Sequence, residues 1–234
     1  MIRLTRRVEV TLPTPAGWVA GGAVFFIAAF IFTCSIHPFL AVSRPNGSGS
    51  LVVEGWLTRG AVLETVEVTE SRGYDRIYTT GGPIPAGSYL SELYPDLTTF
   101  ADIAAHQLRE AGVPDHRIVV VPRKYVSSHR TYFSALALRR HLTDEGLEGS
   151  RLDIRTAGPH ARRSWLLFGL ALDGVAEVGV EAIRPDSYDP DRWWASSSGV
   201  RTVIGEGIAY FYAKFFFYPN VDEDVTRIVH DPKN

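Results

Sequence analysis

The residues best suited to chemistry close the segment Thr156-Ala157-Gly158-Pro159-His160-Ala161-Arg162-Arg163-Ser164. A histidine that titrates near neutral pH stands there at the start of an expected helix, with arginines beside it and a positive helix-dipole end beneath it. Such a group suits an anionic ligand. His160 then works as acid or base and Arg163 holds the charge, while Arg162 reads as a surface cation; the alternative is a turn histidine bonded to backbone beside a solvated helix face. Gly81-Gly82, after Thr80, lets the chain turn tightly and present amides to an anion, although an ordinary strand-to-loop turn uses glycine as often. Glu54, in Glu54-Gly55-Trp56, reads as a base, a hydroxyl partner or a turn residue.

Several other chemistries are excluded by what the chain lacks. There is no Walker phosphate loop, complete G-x-G-x-x-G, G-x-S-x-G elbow or H-E-x-x-H, and Gly205-Glu206-Gly207 is too short a match to count. The seven histidines show no metal-ligand pairing by helical spacing, so no metal is expected. With 24 basic and 26 acidic residues the net charge is −2, which argues against nucleic acid as a partner. The single cysteine, Cys34, forms no internal disulfide.

Positioning these residues requires a scaffold, and the pattern supplies one. Short β-rich runs at Leu51–Val53, Arg76–Thr80, Arg117–Val121, Leu152–Thr156 and Val175–Ile183 alternate with helical patterns at Ala61–Ser71, Tyr89–Ala111, Arg130–Thr143, Arg162–Leu172 and Val200–Phe216. Alternation of this kind predicts an α/β domain with a mainly parallel sheet and helices on both faces. Ligands of such sheets bind beyond the carboxyl ends of the strands. Glu54, Gly81-Gly82, Arg123-Lys124 and Thr156–Ser164 therefore converge on one rim. The aromatic last helix reads either as an interfacial element touching the bilayer or as one packed on the sheet, and its lack of a basic face favours packing.

Ahead of this domain, residues 16–40 contain no Asp, Glu, Lys or Arg. The run is of bilayer length, Thr14-Pro15 reads as N-cap and first helical position, and Pro38 marks an end. A cleavable signal peptide ending near Ala41-Val42-Ser43 is the competing reading, but the apolar run exceeds the usual 7–15 residues of such a core. Arg3, Arg6 and Arg7 precede the span, so the positive-inside rule leaves the N-terminus in the cytoplasm. The expected organisation is a cytoplasmic segment over 1–14, a transmembrane helix over 15–42, a flexible Pro/Gly/Ser linker over 43–50, an α/β domain over 51–218 and a polar, mobile tail over 219–234.

Taken in order, the rim segments resemble the ElyC/SanA/YdcF-like family, also called domain of unknown function 218, over about Ser50 to Phe217. Leu51-Val52-Val53-Glu54-Gly55 resembles its first strand and Thr80-Gly81-Gly82 its Ser/Thr-Gly-Gly turn. Ser91-Glu92 resembles its Ser-Glu pair and Gly112-Val113-Pro114 its Gly-Val-Pro. Thr156 through His160 to Arg163 matches its Thr-x-x-x-His-x-x-Arg motif in full. Its Asn-Thr-x-Glu-Asn motif falls on Arg130-Thr131-Tyr132-Phe133-Ser134, where only Thr131 survives and Phe133 stands in place of the acid.

The resemblance implies a Rossmann-like three-layer domain, held by one N-terminal helix to the bacterial cytoplasmic membrane and facing outward. It implies His160 and Glu54 as catalytic candidates, and Gly81, Gly82, Ser91, Glu92, Thr131, Thr156 and Arg163 as ligand-binding ones. The expected role is an envelope-biogenesis factor binding a phosphorylated or nucleotide-like ligand, such as a lipid-linked saccharide, with the membrane and envelope-synthesis proteins as partners. A non-catalytic scaffold and an S-adenosylmethionine-binding domain are the alternatives. No cofactor and no reaction are assigned.

Overall fold

The computed structural model describes residues 11–124, 126 and 128–230. Five parallel strands, β1 Ser50–Glu54, β2 Arg76–Gly81, β3 Ile118–Pro122, β4 Ser150–Ala157 and β5 Ala176–Ile183, form one sheet in the order β3-β2-β1-β4-β5. The chain builds outward from β1 to β3 and then returns to lay β4 on the other side of β1. A topological switch point is thereby created between the ends of β1 and β4.

Side-chain alternation along the strands makes the two cores. Val52, Tyr78, Leu152, Ile154 and Val180 point to one face, where helices α5 (Arg130–Asp144) and α6 (Ala161–Ala171) add Leu136, Leu138, Leu142 and Phe168. Leu51, Val53, Ile77 and Ile118 point to the other, covered by α2 (Arg59–Arg72) and α4 (Phe100–Glu110) through Val62, Ala104 and Leu108. The result is the expected three-layer α/β/α domain. Being covered on both faces is why the strands read as unbroken apolar runs. Leu152 is fully buried at the centre, so its truncation to alanine costs about 2–5 kcal/mol.

Four local expectations are corrected. The single helix expected over 89–111 is two, α3 (Tyr89–Leu93) and α4, because Pro95 intervenes and Thr99 with Asp102 forms a capping box that starts the second. The expected linker is docked: Arg44 pairs with Val180, the Ala182 amide donates to Ser43 Oγ, and the amides of Asn46 and Gly47 donate to the buried Asp153. The expected tail forms α8 (Val221–His230), whose Val221 and Val225 pack on the α5 side while Tyr132 donates to Asp224. Helix α7 (Ser197–Phe215) does not lie on the sheet. Only Gly199, Val203 and Ala213 of it are buried, and Phe211, Tyr212 and Phe215 are exposed.

Helix α1 spans Pro15–Leu40, capped by Thr14 with Pro15 in its first turn. At 26 residues it is roughly 39 Å long, and no residue of its most apolar window is buried. It is one helix near the N-terminus long and apolar enough to cross a membrane. Pro38 does not end it, because the last turn is held from outside. His37 bonds to Tyr188, Trp193 donates to the Thr33 carbonyl, and Leu40 is buried with Tyr188, Trp193 and Val203. Arg162 is no free surface charge: it donates to the Phe39 carbonyl at this helix end and lies over the Phe39 ring. Arg3, Arg6 and Arg7 lie outside the described residues.

Candidate functional site

A cleft of about 850 Å³ opens at the switch point, lined by the ends of β1 and β2, residues that follow β3 and β4, the start of α5 and one side of α7. Glu54, Gly81, Gly82, Thr131, His160 and Arg163, all singled out by the sequence, line it. The others do not. Thr156 is fully buried at the end of β4, Ser91 is engaged with Ser88 in the first turn of α3, and Glu92 is exposed on that short helix.

The two glycines serve a purpose other than the expected turn. Gly81 still belongs to β2, and a Cβ there would lie 2.7 Å from Phe100 Cβ and 2.8 Å from the Ala101 nitrogen. On Gly82 it would meet the Arg123 guanidinium at 2.3 Å. Neither has a left-handed backbone. Close approach of the α4 backbone, not conformational freedom, demands glycine at 81, whereas at 82 the flexible Arg123 side chain could swing away from a Cβ.

His160 is buried between two carboxylates. Its Nδ1 lies 2.9 Å from Glu206 Oε1, and its Nε2 lies 3.7 Å from Glu54 Oε1 and 3.5 Å from Thr131 Oγ1. The first is a charge-assisted hydrogen bond; the distance to Glu54 is that of an ion pair. Burial works against the charge, but the nearby Glu54 carboxylate, followed by the hydrogen bond to Glu206, overrides it and raises the His160 pKa to about 9. At neutral pH His160 is therefore an imidazolium, with Nδ1–H fixed on Glu206 and Nε2–H directed to the Glu54 and Thr131 side. It is equipped to give a proton rather than take one.

Glu54, fully enclosed, would be driven upward by burial, yet the His160 charge and the Ser164 hydroxyl donating at 2.9 Å hold it below the usual carboxylate range. The Thr156 hydroxyl contributes to that lowering, although its geometry satisfies no hydrogen bond among the described residues. Trp56 closes the cluster edge-on against the His160 ring at 4.8 Å.

Glu206 is the residue that the sequence reading missed. It sits in the middle of α7 and receives Arg163 through Nε at 2.8 Å and Nη2 at 3.0 Å, besides His160. Burial alone would raise its pKa, but the bonds from His160 and Arg163 hold it down at about 2. A signal existed: it is the sole acid of α7. Arg163 is consequently committed to Glu206. Its Nη2 also stands 2.9 Å from His160 Nδ1, two donors held side by side by the shared carboxylate.

Two cations without a carboxylate partner among the described residues, Arg123 and Arg130, stand across the cleft. Arg123, at the end of β3, makes one hydrogen bond, to the Lys124 carbonyl; burial and then the neighbouring Arg130 charge lower its pKa. Arg130 begins α5, whose N-cap His129 takes a left-handed backbone and makes no side-chain cap bond. That wall of the cleft is electropositive, built from two guanidinium groups and an uncapped helix start. An anion at this wall would face the proton on His160. No His, Cys, Asp or Glu cluster suited to a metal occurs among the described residues.

No protein-family model matches the chain, and no curated protein matches it in sequence.

Proposed function

We propose that this chain is a membrane-anchored envelope-biogenesis factor, a divergent member of the ElyC/SanA/YdcF-like family, that binds a phosphorylated or nucleotide-like ligand in the cleft at the carboxyl rim of its sheet. The observation that carries this reading is the pairing of Arg123, Arg130 and the uncapped α5 start with a protonated His160 across one cleft. Phosphate oxygens seat on the guanidinium groups and helix amides. The His160 imidazolium, held by Glu54 and Glu206, adds a charged hydrogen-bond donor for a phosphate or bridging oxygen. A ligand with an apolar part is favoured, since Ile208, Tyr212 and Phe217 line the same cleft and a spanning helix is attached. That combination fits a lipid-linked saccharide phosphate.

A purely binding role has its own support. Phe133 stands where the resembling family has an acid, and the carboxylates of Glu54 and Glu206 are both engaged within the protein. The arginines before the span favour an N-terminus inside and the domain outside the bacterial cytoplasmic membrane.

Native mass spectrometry of the full chain in detergent, titrated with lipid-linked saccharide phosphates, nucleotides, inorganic phosphate and S-adenosylmethionine, tests the reading. Saturable binding of a phosphate-bearing ligand, lost in Arg123→Ala, is the expected result. Binding of S-adenosylmethionine alone, or of nothing phosphorylated, overturns it. A phosphatase reporter fused at Asn234 should be active, and an active cytoplasmic reporter there instead would reverse the topology.

A further inference from the structure

Helix α7 carries its apolar surface on the wrong side for a core. Its buried positions face α6 and the end of α1, whereas Ile204, Ile208, Phe211 and Phe215, at spacings of four, three and four residues, form one exposed stripe. A soluble domain rarely leaves such a stripe open to water.

The neighbours of the stripe identify what covers it. Leu40, the last residue of α1, packs with Val203 and reaches Gly207, where an added Cβ would lie 3.9 Å from its Cδ1; Phe39 meets Tyr210 edge-on at 5.7 Å. The stripe therefore begins beside the point where the spanning helix enters the domain. Its charges agree with this: the outward ones on α7 are Arg201 and Lys214, and the lone acid, Glu206, is turned into the cleft. Aromatic rings with scattered cations and no exposed carboxylate suit the boundary between lipid headgroups and acyl chains.

We propose that the exposed face of α7 lies in the headgroup and upper acyl region of the bilayer that α1 crosses, seating the domain flat on the membrane. This rests on the reading of α1 as a membrane span. Docking by the last turn of α1 fixes the approach, so the stripe meets the lipid without a separate recognition step. Ile208 belongs both to the stripe and to the lining of the cleft, which places the cleft mouth at the lipid surface.

The test uses the full chain in single-copy nanodiscs, with Cys34→Ser and one environment-sensitive fluorophore at Ile204→Cys, Phe215→Cys, Phe26→Cys or Asp115→Cys. Emission from the two α7 sites is expected to shift to the blue and to be lost to lipids carrying a shallow spin label. The Phe26 site should be quenched only by a deep label, and the Asp115 site, at the far end of β3, by neither. Quenching at Phe26 without quenching on α7 overturns the proposal and leaves the span intact, whereas no quenching at Phe26 removes the span and the proposal together. Protection of α7 that appears only in discs holding two copies assigns the stripe to a dimer and overturns it, as does equal quenching at Asp115. A photoactivatable lipid added to the unsubstituted chain gives a check free of substitutions. Crosslinks should map to α7 as well as α1, and crosslinks confined to α1 overturn the proposal.

Discussion

His160 Nδ1 and Glu206 Oε1 stand 2.9 Å apart, and through this contact α7 is clamped to the N-cap residue of α6. The pair is partly buried, is joined by Arg163, and sits where the cleft would receive a ligand. One carboxylate thus orients the proton donor and anchors a peripheral helix.

Glu206→Gln should lower the His160 pKa from about 9 and destabilise the fold by about 3 kcal/mol, because Arg163 and His160 lose their shared anion. Proton-detected titration of the His160 ring and denaturant melts measure both effects. An unchanged titration would show that Glu54 alone sets the charge of His160.

Stability should fall at both ends of the pH scale, for reasons that can be signed. The folded His160 pKa is raised from 6.5 to about 9, so its contribution is complete below 6.5 and disappears as pH rises through about 9. The folded Glu206 pKa is lowered from 4.5 to about 2, so its contribution is complete above 4.5 and disappears as pH falls towards 2. Melting temperature should therefore be flat between about 4.5 and 6.5 with respect to this pair, declining on either side. A melting temperature still climbing from pH 7 to 9 would contradict the assigned charge.

Arg123→Ala should weaken a phosphate-bearing ligand about tenfold or more, since charge-assisted bonds are worth about 1.5–3 kcal/mol each. Stability should hardly change, because among the described residues the side chain makes only one internal hydrogen bond, to a carbonyl. Arg163→Ala should show the reverse emphasis, with a clear loss of stability through Glu206. Equal losses of affinity and stability in both variants would fail to separate a binding arginine from a structural one, and the division drawn here would fall.

A chain starting at Ser50 should be markedly less stable than one starting at Ile36. The longer chain keeps the amides of Asn46 and Gly47 on Asp153, a residue with no exposed surface, and keeps Leu40 and Val42 in the core. Loss of those two bonds leaves Asp153 only the Tyr74 hydroxyl, at a cost of about 3 kcal/mol or more. Equal cooperative melts for the two would show that the segment merely rests on the domain.

The α/β class, the five strands and the long apolar N-terminal helix were legible in the sequence because each rests on local chemistry. Leu51-Val52-Val53 reads as a strand buried on both faces wherever it lies, and the charge-free run over 16–40 is of bilayer length by composition alone. Glu54, His160 and the two glycines were legible as strand-end residues for the same reason. The sequence could not set the strand order, and it is the return of β4 to pair with β1 that brings Glu54 and His160 together while leaving Ser91 and Glu92 outside. Glu206 was hidden because it lies 46 residues beyond His160, on a helix whose aromatic residues suggested a sheet to pack on. Helices α5 and α6 already cover that face, so α7 has no sheet left to bury itself against. Only the tertiary structure decides what a helix rich in apolar residues touches, since periodicity records which side chains avoid water and nothing of the surface that shelters them.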